Sequence, residues 1–162
     1  MAAPAASTHP MSPLSKLSSL LAKVGELLQS PLLLVIRLYW GWQFFQTGKG
    51  KLMHLDRTVS FFASLNIPAP KLNAILASCT ECSCGLLLLL GLFSRFASPA
   101  LISVMCVAYI TADSEALHSV FSNPDKFLSA DPFLFLFAAL IIFTFGPGRI
   151  SLDALLFKGK KA

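Results

Sequence analysis

A chain of 162 residues that is 55% hydrophobic and only 13% charged, with a mean hydropathy of +0.69, lies far from the roughly 25% charged composition of soluble domains. It excludes an ordinary water-soluble enzyme and predicts an integral membrane protein. The net charge of +5 sits at the edges of apolar blocks and forms no basic stripe, which suits lipid headgroups and argues against nucleic acid as a partner.

Residues 1–13, MAAPAASTHPMSP, are small, polar and Pro-containing, with no Lys or Arg ahead of a short apolar core, so they read as a disordered tail and not as a cleaved signal peptide. Over residues 14–30, Leu14, Leu17, Leu20, Leu21, Val24, Leu27 and Leu28 recur at helical spacing with Lys16, Lys23 and Glu26 between them. That is the pattern of an amphipathic interfacial helix. Pro31 then opens the first span, about 31–48, which leaves through GKGK. A short amphipathic piece from about Asp56 to Leu65 is too short to cross and is expected in the interface, ending at Asn66, a residue type that tolerates the left-handed conformation.

The second span is expected at about 71–93 and the third at about 95–112, joined by so short a turn that they must be antiparallel neighbours. A polar loop, 113–131, separates them from a fourth span at about 132–145, capped by Asp131 and broken by GPGR. A capped amphipathic turn, SLDALLF, and a basic tail, 158–162, close the chain. The fold class is therefore an all-α membrane protein. It is a four-transmembrane-helix bundle over 31–157, preceded by an N-terminal amphipathic helix and carrying a short interfacial helix between spans one and two. Membrane lipids are its first partners. Lys and Arg counts favour both termini inside, with Lys16, Lys23, Arg95, Arg149, Lys158, Lys160 and Lys161 on that side, against Lys49, Lys51, Arg57, Lys71 and Lys126 on the other.

Chemistry concentrates in the second span. Glu81 lies near the bilayer midplane, where an ionised side chain costs at least ~2.5 kcal/mol, so it must face protein or water. Ala74, Ala77, Ser78, Glu81 and Gly85 share a narrow sector at 100° per residue, a small-residue stripe that admits a close neighbour. Arg37, on one face of the first span with Gly41, Phe44 and Gly48, is the expected partner, although its Cα falls on the order of 9 Å nearer the inner side than that of Glu81. Such a pair either fixes helix register or holds a proton-active carboxylate beside a ligand, and both readings stay open.

Cys79-x-x-Cys82 has redox spacing. On a continuous helix, however, Cys79, Cys82 and Cys84 project about 160°, 100° and 300° from Glu81, so they cannot converge on one metal. Packing is their simpler role, with a Cys79/Cys82 dithiol as the alternative; Cys106 lies in the third span. Lys49, Lys51, His54, Asp56 and Arg57 form a polar collar that either snorkels to headgroups or binds an anion or quinone oxygen, with His54 as proton shuttle. Asp113, Glu115 and His118 match no metal motif. Trp40 and Trp42 are expected to pack internally. Tyr39, Gln43 and Gln46 give the first span a second polar face for a neighbouring helix or subunit, which would make a homo-oligomer.

The segments RLYWGWQFFQTGKGKL, FFASLNIPAP, Glu81 followed by GLLLLLGLFSR, and FGPGRISLDALL resemble, in this order, the DoxX family of small four-span membrane proteins, from about Leu32 to Leu156. The matched positions are Arg37, Gly41, Gly48, Lys51, Glu81, Gly85, Gly91, Arg95, Gly146 and Pro147. Cys84 and Asn66 stand where glycines are usual. The resemblance implies four spans in a prokaryotic plasma membrane, both termini cytoplasmic, and an association with thiol, sulfur-compound and quinone chemistry.

Three readings follow. One is an accessory or anchor subunit of a quinone-linked redox or thiol-stress system, with an oxidoreductase partner. Another is a quinone- or sulfur-compound-binding oxidoreductase or carrier in its own right, with Glu81, Arg37, Cys79 and Cys82 as catalytic candidates and Arg37, Lys51, His54 and Glu81 as ligand-binding ones. The third is a structural or assembly protein, in which Gly41, Gly48, Ala74, Ser78, Gly85 and Gly91 matter as helix-packing positions.

Overall fold

The computed structural model describes residues 13–156, and among these every regular element is helical. The order is α1 (Pro13–Met53), α2 (Leu55–Ser64), α3 (Pro70–Leu90), α4 (Ser94–Thr111), α5 (Ser114–His118), α6 (Pro124–Leu128), α7 (Asp131–Phe145) and α8 (Leu152–Leu156). Three of them, α1, α3 and α4, are long and apolar enough to cross a membrane, and α7 is a shorter apolar helix. Of the expected tails, 1–13 and 158–162, all but Pro13, which begins α1, lies outside the described residues.

Pro31 does not start a new helix: α1 is continuous through it for 41 residues, about 62 Å at 1.5 Å per residue. The missing amide of Pro31 orphans the carbonyl of Leu27, and Leu27 is 74% exposed, so polar surroundings can satisfy that group and the helix need not stop. The predicted interfacial helix is thus the overhanging first half of α1.

Spans α1 and α3 form the most extensive helix pair. Leu33, Arg37, Gly41, Phe44 and Gly48 are buried on one face of α1, and Ala74, Ser78, Glu81, Gly85 and Leu88 on the facing side of α3. A Cβ on Gly41 would fall 2.6 Å from the backbone nitrogen of Leu89, and one on Gly85 would fall 2.6 Å from that of Phe45. Only hydrogen at these positions lets the backbones come so close. Behind this pair α4 and α7 pack through Ala97, Leu101, Met105, Ala139 and Ile142 around Phe44 and Leu88.

Turns follow the residue types. Asn66, at φ +56°, closes α2 with Ile67 N–H donating to the Phe62 carbonyl, and Gly91, at φ +68°, closes α3 with Leu92 N–H donating to Leu87. Contrary to the expectation from sequence, Asp131 does not cap the fourth apolar helix. It lies inside the first turn, and the N-cap is Ala130, whose side chain has no oxygen to offer. Nor is 113–131 a plain loop. It folds into α5 and α6, tied to α4 by the Tyr109 hydroxyl donating to the Phe127 carbonyl at 2.9 Å and by stacking of the two rings at 4.9 Å. Trp40 packs on Phe135, with ring centroids 5.0 Å apart, whereas Trp42 is 49% exposed on the bundle's outer face.

Candidate functional site

The end of α1, all of α2, the first half of α3 and the second half of α4 enclose a cavity of about 990 Å³. The corner between α1 and α2 and the turn from α2 to α3 bound it. Thr58, buried at the start of α2, donates to the carbonyls of Lys51 (3.1 Å) and His54 (3.2 Å) and clamps the α1–α2 corner, while the turn at Asn66 and Pro68 returns the chain to α3. Phe61, Phe62, Leu76, Val104, Met105 and Val107 make most of the wall apolar.

Lys51 and Glu81 supply its main polar feature. The Lys51 ammonium donates to both carboxylate oxygens of Glu81, at 2.6 and 2.8 Å. The two halves differ in access: the Glu81 side chain is 1% exposed and that of Lys51 36%. A carboxylate at mid-helix is thus neutralised from the cavity side by a cation that can also reach whatever occupies the cavity. His54 and Arg57 line the same space.

Sequence reasoning places Glu81 correctly on an inward face but pairs it with Arg37, and the structure separates those two. Arg37, 1% exposed, lies at the opposite end of the α1–α3 pair, where one guanidinium nitrogen donates to the Ile150 carbonyl at 2.5 Å. The remaining guanidinium nitrogens, Nε and one Nη, have no hydrogen-bond partner. The guanidinium fills the space a side chain on Gly91 would need. Asp153 completes this end: its carboxylate accepts the backbone amides of Phe93 (2.8 Å) and Ser94 (3.2 Å), capping α4 from a distant part of the chain, and its own amide donates to the Gly91 carbonyl at 2.9 Å.

Among the remaining candidates, Cys79 is exposed on the outer face and Cys82 half-buried with its backbone against Gly48; both are free thiols, and neither lines the cavity. Tyr39, Gln43 and Gln46 remain on the outside of α1, with the Gln43 amide donating to the Tyr39 hydroxyl at 3.4 Å. Thr58 and Asp153 were not singled out from sequence. Thr58 carried no signal beyond its place in an amphipathic stretch, and Asp153 is joined to its partners across about sixty residues, beyond the reach of local patterns.

The apolar spans, buried ion pair and laterally bounded cavity define a small helical membrane protein. The DoxX family model matches residues 32–114, and the chain belongs to that family. The match takes in Arg37, Gly41, Gly48, Lys51, Glu81, Gly85, Gly91 and Arg95 and leaves the Gly146–Pro147 segment beyond it. An uncharacterized membrane protein of Mycobacterium tuberculosis is 32% identical over 140 residues, 79% of this chain and 83% of the relative. The inner membrane protein YphA of Escherichia coli is 31% identical over 128 residues, 75% of this chain and 88% of its own. An uncharacterized protein of Haemophilus influenzae is 27% identical over 130 residues, covering 78% and 83% of the two chains. No solved structure matches the chain.

Proposed function

We propose that this DoxX protein binds an apolar molecule with an oxygen-bearing head, of the quinone class, in the α1–α4 cavity, with Lys51 and Glu81 as its polar contact. The carrying observation is the Lys51–Glu81 pair, bidentate and one-sidedly open, set in an otherwise apolar cavity of about 990 Å³, a volume suited to a drug-sized ring system. The donor set fits such a head: an ammonium and an imidazole can donate to carbonyl oxygens, and the aromatic and aliphatic wall suits a ring. A bound quinone would supply two-electron, two-proton redox chemistry. The chain's own part is to select the head by hydrogen bonding, to keep the tail in an apolar surround, and to hold a proton at Glu81 or Lys51. Electrons then come from an oxidoreductase partner, the accessory role.

In the same reading α7 is a fourth, short span. The protein sits in a prokaryotic plasma membrane with both termini cytoplasmic and the cavity toward the outer side. The excess of Lys and Arg at the α1 N-terminus, the α3–α4 turn and the C-terminal segment supports that orientation, and the bacterial relatives support the compartment.

The test is mass spectrometry of the organic extract of gently purified protein, with titration of a short-chain quinone analogue followed by thermal stabilisation. A quinone in the extract, and stabilisation by the analogue in wild type but not in Lys51→Met, are expected. An extract free of quinone, together with equal responses of wild type and Lys51→Met, sinks the proposal.

A further inference from the structure

The opposite end of the bundle holds a second concavity, about 560 Å³, between α1 and the turn that follows α7. Glu26, Gln29, Ser30 and Leu33 line it from α1, Arg95 from the first turn of α4, and Phe145 to Arg149 from the turn. We infer that this groove is a binding site for the phosphodiester headgroup of an anionic phospholipid, held between the guanidinium groups of Arg95 and Arg149.

The turn docks against both α4 and α1, so that Arg95 and Arg149 line one groove. Gly146, at φ +75°, lies flat against the Arg95 guanidinium, whose Nε is 3.3 Å from where a Cβ would stand. A side chain there would be strained and would push Arg95 aside. Gly148, at φ +78°, packs on Leu33 and on the Cα of Ser30, and the next amide, that of Arg149, donates to the Ser30 hydroxyl at 3.2 Å. The backbone of Arg149 is thereby fixed beside the start of α1's apolar run, and Arg149 and Arg95 line the same groove. Neither arginine has a carboxylate within ion-pair distance among the described residues, whose salt bridges are Lys51–Glu81 and Lys126–Glu115. Two arginines lining one groove, neither in an ion pair among the described residues, make it suited to an external anion.

Depth selects which anion. Ser30 immediately precedes the apolar run of α1, Arg95 begins α4 and Gly146 ends α7, so the groove lies where spanning helices leave the hydrocarbon, at headgroup level. Basic grooves at this level bind acidic lipid heads. Phe145, 58% exposed at the rim, offers an apolar surface for the start of an acyl chain. Among the described residues Glu26 is the one carboxylate lining the groove, so it opposes the anion and gives the proposal a signed test.

The experiment is native mass spectrometry of the full-length protein released from mixed micelles with equal amounts of phosphatidylglycerol and phosphatidylcholine. Wild type is expected to retain phosphatidylglycerol over phosphatidylcholine by on the order of ten-fold, from about one basic side chain's worth of attraction at each position. The Arg95→Gln/Arg149→Gln double variant is expected to lose the preference, the Arg95→Lys/Arg149→Lys variant to keep part of it, and Glu26→Gln to raise it. Equal retention of both lipids by wild type overturns the site. So does an unchanged preference in Glu26→Gln, an exposed change that leaves the turn intact. Full displacement of the lipid by millimolar inorganic phosphate would make this a free-anion site and overturn the headgroup assignment.

Discussion

At one end of the α1–α3 pair a buried carboxylate faces an open cavity through a half-exposed lysine; at the other a buried arginine is sealed beneath Ile150 and Gly91. The Cα positions of Arg37 and Lys51 lie about 21 Å apart along α1, fourteen residues at 1.5 Å each. Both ends satisfy the rule that an ionised group inside a membrane protein must face protein or water, but by different means. The Arg37 end ties down the C-terminal segment with a carbonyl, a helix cap and a tight turn, none of which needs to move. The Lys51 end leaves one partner accessible. Sealed charge is suited to fixing geometry, and accessible charge to exchanging partners. The family resemblance includes both ends without distinguishing them.

The sharpest way to break this distinction is Lys51→Met. It strands Glu81, 1% exposed, without its cation, and breaking a buried pair from one side costs about 3–5 kcal/mol. Glu81→Gln should cost clearly less, because Lys51 can turn toward the cavity, and the double variant should recover most of the Lys51→Met loss. Thermal unfolding in detergent measures all three. Equal losses for the two single variants would show that the pair is closed on both sides and remove the asymmetry on which ligand exchange rests.

Arg37→Leu tests the other half. It removes one hydrogen bond and the charge facing Asp153, but it also removes unpartnered guanidinium donors, so the expected loss is smaller, about 2 kcal/mol. Ligand affinity in the cavity should stay within about two-fold, as for distant sites that share no partner. Proteolysis should find the segment after Gly148 first. A variant that is fully stable yet loses cavity binding would mean the two ends are coupled.

The stripes on both helices were legible in the sequence, because 100° periodicity puts Arg37, Gly41, Phe44 and Gly48 on one face and Ala74, Ser78, Glu81 and Gly85 on another. The register between them was not. Gly48 rests on Ser78 and Cys82, Gly41 on Gly85 and Leu89, and Arg37 against Gly91, and these contacts set Glu81 across from the last turns of α1. Lys51 follows Gly48 by three residues and so continues the same face, a signal available in the sequence. The same residues sit in GKGK, whose glycines and lysines equally fit an exit from the membrane. The cavity was not legible, since it depends on the angle of α2 that Thr58 holds through two backbone carbonyls. Asp153 capping α4 was invisible for the same reason: its partners meet only after the bundle has formed.

The glycine contacts allow a finer test of how register feeds the open end. Gly48→Ala would place a Cβ 2.7 Å from the Ser78 carbonyl oxygen and closer still to the Cys82 amide, both backbone atoms that cannot swing away. The expected cost is about 1–3 kcal/mol, accompanied by weaker cavity binding because α1 must shift one turn from Lys51. Gly50→Ala is the control: nothing lies within 4 Å of its Cβ position, so helix propensity alone acts and the change should stabilise by at most about 1 kcal/mol. If Gly48→Ala unfolds no earlier than Gly50→Ala, the register is not set by the glycines.

The Glu115–Lys126 bridge shows what an ion pair contributes when neither partner is buried. The bond is as short as that of the inner pair, 2.7 Å, but the side chains are 85% and 47% exposed. Hydrogen bonding and charge from Lys126 hold the Glu115 carboxyl below the usual carboxylate range. With the folded-state value lowered, the contribution is present above the ordinary carboxylate value and is lost as pH falls through the lowered one. Water and salt screen the pair throughout. Glu115→Gln should therefore leave the midpoint of unfolding unchanged at neutral pH, and added salt should not separate it from wild type. The Lys51→Met deficit should persist in the same salt series, because Glu81 is out of reach of counter-ions. Two bridges of nearly equal length would then differ in effect only through burial. A salt-sensitive Lys51→Met deficit would place Glu81 in contact with bulk water and remove the difference between them.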